Sequence, residues 1–159
     1  MAEEEQAPHH LLTSATIDAM NSAERIHPLN KNAVRHTRIL GDAVGLKNLG
    51  VHLVRVVPGR ETTELHFHHC EEEFMYILSG TGEAEIGADV FKISAGDFLG
   101  FTAPSLPHAM RNTGNDDLVY LMVGERRIID IADYPRQRKR LFRHNGKREL
   151  VNWDDLGSF

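Results

Sequence analysis

From about Arg35 to Glu125 the chain runs as short apolar and β-branched segments separated by turn residues. The segments are GVHLVRVV at 50–57, EFMYILS at 73–79, GEAEIG at 82–87, VFKIS at 90–94, DFLGFT at 97–102, HAMRN at 108–112 and LVYLMVG at 118–124. Turns fall at Pro58-Gly59, Gly80-Thr81-Gly82, Ala95-Gly96-Asp97, Pro104 to Pro107 and Asn112 to Asp117. Short strands at this spacing, punctuated by glycine and proline, predict an antiparallel sandwich or barrel. No helix-length apolar period interrupts the stretch, which argues against alternating strands and helices. In the strand 73–79, Glu73, Met75 and Ile77 share one face, and Phe74, Tyr76 and Leu78 share the other. A barrel wall has one inner face. The outer apolar stripe therefore needs a cover, supplied by either terminal segment or by a second subunit.

The flanks read differently. Residues 1–13 are acidic and then polar, the composition of a disordered start. SATIDAMNSAER at 14–25 predicts a short helix with Thr13 or Ser14 as its N-cap, ended by Pro28. Residues 126–159 leave the strand pattern and read as an extension wrapping the barrel or a neighbouring subunit. The expected division is an arm at 1–34, a barrel at 35–125 and an extension at 126–159.

Composition narrows the function. A length of 159 residues fits one domain, and 41% apolar with 26% charged residues is ordinary for a globular protein. The formal net charge of −5 argues against nucleic-acid binding by bulk charge. Half of the 18 Lys and Arg residues nevertheless lie between Arg126 and Arg148. The run Arg136 to Arg143 has little aromatic interleaving. Its expected role is pairing with the chain's own acidic segments or with a partner subunit, rather than with nucleic acid. Cys70 is the single cysteine, so no intramolecular disulfide forms. No apolar run reaches membrane-spanning length, and the start lacks the layout of a secretory signal. A cytoplasmic location is expected.

Ten histidines is a high count, and His66, His68 and His69 lie within four residues. Residues two apart on a strand project together, about 7 Å apart along it. His66 and His68 would form such a pair, with His69 pointing away. Two imidazoles with a carboxylate nearby suit a borderline transition metal. Glu71, Glu72 and Glu73 all compete for the carboxylate role, and His108 opens a later strand-like segment. These groups meet only if the sheet folds back on itself.

The stretch GRETTELHFHHCEEEFMYILSG resembles the first cupin motif, G-x5-H-x-H-x3,4-E-x6-G. GDFLGFTAPSLPHAMRN resembles the second, G-x5-P-x-G-x2-H-x3-N. The loops depart from the pattern. Six residues rather than five separate Gly59 from His66, and Ser105 and Ala103 occupy the second motif's glycine and proline positions. The resemblance implies an antiparallel double-sheet jelly-roll barrel. It also implies one divalent transition metal ion (Fe, Mn, Ni or Zn) on His66, His68, Glu73 and His108. Glu73 is chosen because six residues separate it from Gly80.

Glu64, Met75 and Met110 share faces with these residues and are expected to line a substrate pocket. The resemblance implies an enzyme on a small oxygen-rich molecule, of isomerase or dioxygenase type, with a non-catalytic binding module as the alternative. It identifies no catalytic residue. Arg55 and Arg111 are the cations available at the mouth if the substrate carries phosphate, although strand parity places Arg111 on the face opposite His108. Cupins commonly pair through an apolar outer face, so a homodimer is expected.

Overall fold

The computed structural model describes residues 10–157; most of the acidic start lies outside that range. Among the described residues thirteen strands form three sheets, and every pair of neighbouring strands is antiparallel. The strands are β1 (Ala23–His27), β2 (Asn30–Ile39), β3 (Leu49–Val56), β4 (Phe67–His68), β5 (Glu73–Ser79), β6 (Thr81–Ile86) and β7 (Asp89–Ser94). They continue with β8 (Phe98–Phe101), β9 (His108–Arg111), β10 (Leu118–Glu125), β11 (Ile129–Tyr134), β12 (Lys139–His144) and β13 (Lys147–Asn152). A six-stranded sheet has the order β1-β2-β3-β10-β5-β8, a three-stranded sheet β7-β6-β9, and a four-stranded sheet β13-β12-β11-β4. This is the double-sheet jelly-roll architecture expected from the sequence.

The core forms between the sheets. Val54 and Val56 of β3, Leu118 and Tyr120 of β10, Met75 and Ile77 of β5, and Leu99 and Phe101 of β8 point inward. They meet Ala84 of β6, Ile93 of β7 and Met110 of β9. The expected parity of β5 holds: Met75 and Ile77 are buried, while Tyr76 and Leu78 are exposed. Gly80 makes the turn into β6 with φ +84, and a Cβ there would collide with the Asp117 carbonyl oxygen. Only glycine accommodates both conditions.

Two readings of the flanks change. The helix α1 covers only Ser14–Ala19, capped by the Thr13 hydroxyl, which accepts from the Thr16 amide at 3.1 Å. Residues 23–25 of the expected helix instead open strand β1, hydrogen-bonded to β2. Cross-strand pairing overrides the weak helical preference of a short segment. The strand region is correspondingly longer than 35–125, running from Ala23 to Asn152. Within the extension, β11 pairs with β4, so it carries a wall of the molecule beside His68. A second helix, α2, is one short turn at Leu40–Ala43.

The arginines of the extension pair with the chain's own acids. Arg136 meets Glu85 at 2.5 Å, Arg138 meets Asp154 at 2.6 Å and Arg140 meets Asp133 at 2.7 Å. Arg143 binds Glu71. Among the described residues no helix is long and apolar enough to cross a membrane.

Candidate metal centre

The backbone brings the three histidines together. His66 and His108 form an isolated antiparallel bridge, each amide donating to the other's carbonyl at 3.2 and 2.8 Å. His68 lies two residues on, in β4. Their rings gather closely, with centroids 5.0 Å apart for His66 and His68 and 4.9 Å for His66 and His108. Phe101 stacks on His108 at 3.5 Å with an interplanar angle of 7°.

Each imidazole is held by its Nδ1. That of His66 donates to the Glu64 carbonyl at 3.0 Å and that of His108 to the Leu106 carbonyl at 3.1 Å. A carbonyl oxygen only accepts, so Nδ1 carries the proton in both rings. That of His68 donates to the Asp130 carboxylate at 2.6 Å. All three Nε2 atoms then turn toward Glu73. Its Oε1 lies 2.7 Å from His108, 3.6 Å from His66 and 3.7 Å from His68. The last two distances exceed a hydrogen bond. The donor atoms of His66, His68 and Glu73 all lie within 4.8 Å of one another, and His108 joins them through Glu73.

The charges follow from this packing. Burial alone would raise the Glu73 pKa, yet His108 and His66 hold it well below the usual carboxylate range. Burial pushes His66 down, only partly opposed by Glu73. Burial also acts to lower His68, but Asp130 and Glu73 outweigh it and the net shift is upward. Three imidazoles and one ionised carboxylate, with their second nitrogens already committed, form a donor set that fits a borderline divalent metal.

The competing carboxylates go elsewhere. Glu71 is buried and accepts from Arg143 and from the Arg127 amide. Glu72 is exposed. A second group of potential ligands, His68, Glu71 and Asp130, lies behind His68 and supports it. His69, expected to face away in a surface or turn role, bonds through Nε2 to Asp133 at 2.9 Å.

Met75 and Met110 sit in the core and line a small cavity with His108, Leu99 and Phe101. Glu64 is 5% exposed, and its carboxylate has no hydrogen-bond or ion-pair partner among the described residues. Arg55 lies on the outer face and pairs with Asp117 at 2.8 Å, and Arg111 is exposed on β9. Neither of these two arginines stands on the inner face with the histidines.

Sequence reasoning did not find Asp130, which bonds His68, or Tyr134, which stacks on His66. Both fall in the supposed extension. The only local sign of Asp130 is an acid set inside the apolar run Ile128-Ile129-Asp130-Ile131-Ala132.

The cupin domain family matches over residues 52–124, which include all four gathered residues. A crystal structure named "Putative sugar phosphate isomerase", from Acidithiobacillus ferrooxidans, is 44% identical with a TM-score of 0.91, covering 94% of this chain and 96% of that one. The chain belongs to the cupin superfamily. This cupin is also similar to a sugar phosphate isomerase from a cupin superfamily of Silicibacter pomeroyi, 26% identical with a TM-score of 0.79, covering 87% and 91% of the two chains. A third similarity is to the oxalate-binding protein of Thermotoga maritima, 39% identical over 67 residues, 42% of this chain and 54% of that protein. The cupin spans about half the length of the curated relatives it matches.

Proposed function

We propose that this cupin holds one divalent transition metal ion (Fe, Mn, Ni or Zn) on His66, His68, Glu73 and His108 and is an isomerase acting on a small oxygen-rich molecule of the sugar-phosphate class. One observation carries the reading: three imidazoles, each pinned through Nδ1, present Nε2 to a single ionised carboxylate. Similarity along nearly the whole chain to a protein named as a sugar phosphate isomerase supports the reaction class.

The ion would supply Lewis-acid polarisation of a substrate carbonyl. The chain supplies the rest. Asp130 orients His68, and Phe101 shields one face of His108. Glu64 is the group we assign to proton movement at the carbon beside that carbonyl. It is a buried carboxylate two residues before His66, with no cation neutralising it among the described residues. Met75 and Met110 wall the His108 side of the pocket.

The second reading, binding without turnover, rests on the similarity to an oxalate-binding protein. We also infer a cytoplasmic homodimer, joined through the outer face of the six-stranded sheet.

Elemental analysis tests the site, and solvent exchange tests the chemistry. The wild type should carry stoichiometric metal, and the double variant His66→Ala/His68→Ala should carry none while retaining its β circular dichroism. Undiminished metal in that variant would sink the assignment. In D2O the loaded protein should exchange the proton on the carbon beside the carbonyl (C2 of an aldose phosphate, C1 of a 2-ketose phosphate), and Glu64→Gln should lose that exchange while keeping its metal. Binding of oxalate with no exchange on any sugar phosphate would favour the second reading.

A further inference from the structure

The inner face of the six-stranded sheet carries a cluster of cations and unsatisfied donors beside the metal group. Arg35 lies on the same face of β2 as the buried Thr37, and it pairs in register with Arg25 of β1, which is exposed at the mouth. His52 stands on the inner face of β3, opposite Ile39 and opposite Met122 of β10. Among the described residues, neither Arg25 nor Arg35 has a carboxylate oxygen within ion-pair distance. The Arg35 side chain donates to the Met122 sulfur at 3.7 Å, a weak acceptor, and lies within reach of the Tyr120 hydroxyl. The Thr37 hydroxyl and His52 Nδ1 are buried with no partner at all, and Thr37 is 5% exposed. Unpartnered buried polar atoms are rare in folded proteins and costly unless something satisfies them, a bound ligand being one such partner.

The cluster adjoins the four gathered residues through shared neighbours. Tyr134 stacks on His66 at 5.9 Å and tilts against His27 at 5.4 Å. Burial pushes His27 down to about 4, with His66 and Arg35 both adding to the fall. Burial pushes the Tyr120 hydroxyl up to about 12, with Arg35 opposing and Glu73 reinforcing the rise. Tyr120 stands on β10, opposite Val54 of β3 and Ile77 of β5. The acids nearby are largely committed: Glu73 to the histidines and Asp130 to His68, which leaves Glu64, two residues before His66.

We propose that Arg35, Thr37 and His52, with Arg25 at the mouth, form an anion subsite that takes the phosphate of a phosphomonoester substrate whose reacting end lies at the four gathered residues. An arginine fork, a hydroxyl and an imidazole on three strand positions, with a second arginine at the mouth, match the three terminal oxygens and double charge of a phosphate better than a singly charged planar carboxylate. The proposal rests on the metal-enzyme reading for what the phosphate is attached to. It rests on the inner face alone for where the phosphate binds.

The test uses inorganic phosphate and full-length protein, both metal-loaded and stripped with chelator, followed by calorimetry and thermal shift. Phosphate should bind both forms and raise their melting temperatures, and acetate at equal ionic strength should not. Arg35→Met should weaken phosphate binding by roughly tenfold or more, because a charged bidentate partner is lost. Thr37→Val should weaken it by a few-fold, and Arg35→Lys by an intermediate amount. Arg55→Gln, on the outer face, should leave it unchanged, and metal content should be unaffected in every variant.

Equal phosphate affinity in Arg35→Met and wild type would overturn the subsite, as would acetate binding as well as phosphate. If Arg35→Met fails to fold by circular dichroism, unchanged affinity in both Arg35→Lys and Thr37→Val overturns it instead. Arg35-dependent phosphate binding by a protein that never takes up metal would sink the metal reading and leave the subsite standing.

Discussion

Asp130 shows how a single side chain serves both fold and site. Its carboxylate accepts from His68 Nδ1 at 2.6 Å and from the Cys70 amide at 3.3 Å, with Arg143 4.0 Å away. It thus fixes the ring plane of His68 and the turn that leads toward Glu73. Asp130→Asn keeps the size and an acceptor but removes the charge that balances His68. We expect metal affinity to fall roughly 10- to 100-fold, measured by competition with a chromophoric chelator, with an unchanged circular dichroism spectrum. Unaltered affinity would mean that His68 is not a ligand or needs no support. Asn112 belongs to the same scale with a different job. Fully buried, it donates to the carbonyls of Val56 and Asp116 at 2.8 and 2.9 Å and accepts from the Gly114 amide at 3.0 Å. The asparagine of the second motif is therefore a loop staple, and the histidine four residues earlier inherits its position from it.

Among the elements, β11 is the one whose role the local pattern conceals. It pairs with β4 on one side and β12 on the other, and Asp133 ties the three together. The Asp133 carboxylate accepts two bonds from Arg140 at 2.7 Å, one from His69 at 2.9 Å and one from the Trp153 indole at 3.3 Å. Burial would raise its pKa, but Arg140 and His69 prevail and hold it below the ordinary 3.8. The folded-state pKa is depressed, so the ionised carboxylate stabilises the fold above the ordinary value. That contribution is lost as the pH falls through the folded-state pKa. Asp133→Asn should therefore lower the melting temperature at pH 7, and the gap from wild type should close as the pH drops below about 3.8. A gap that stays constant across thermal melts from pH 7 to pH 3 would show that charge is not what Asp133 contributes.

At the scale of the whole molecule, the outer face of the six-stranded sheet is the feature without a cover. Phe98 is 62% exposed and packs on Phe74, with Tyr76, Leu78 and Leu49 exposed around them. Gly100, Val123 and Phe98 line a groove of about 360 Å³ on this face. A patch of this kind is unusual on a monomer. Among the described residues the extension folds onto β4 rather than over this patch, and a second copy is the cover we infer. Light scattering at micromolar concentration should give twice the 17.9 kDa chain mass, and Phe98→Asp should reduce it to the single-chain value. A wild type that scatters as one chain would exclude the dimer. Local pattern sufficed for the strands between Leu49 and Glu125, because a period of two and glycine turns such as Gly80 are properties of neighbouring residues. It also sufficed for His66, His68, Glu73 and His108 as the group to watch, because motif spacing reports a shared fold. What it could not contain was which distant segments complete the pocket. Whether 23–25 is helix or strand depends on pairing with β2, and whether Asp130 and Tyr134 matter depends on β11 lying beside β4. The inner-face cations likewise proved to be Arg35 and Arg25 rather than Arg55 and Arg111, because which wall of a folded sheet a strand joins is decided by pairing and packing across the molecule, not along the chain.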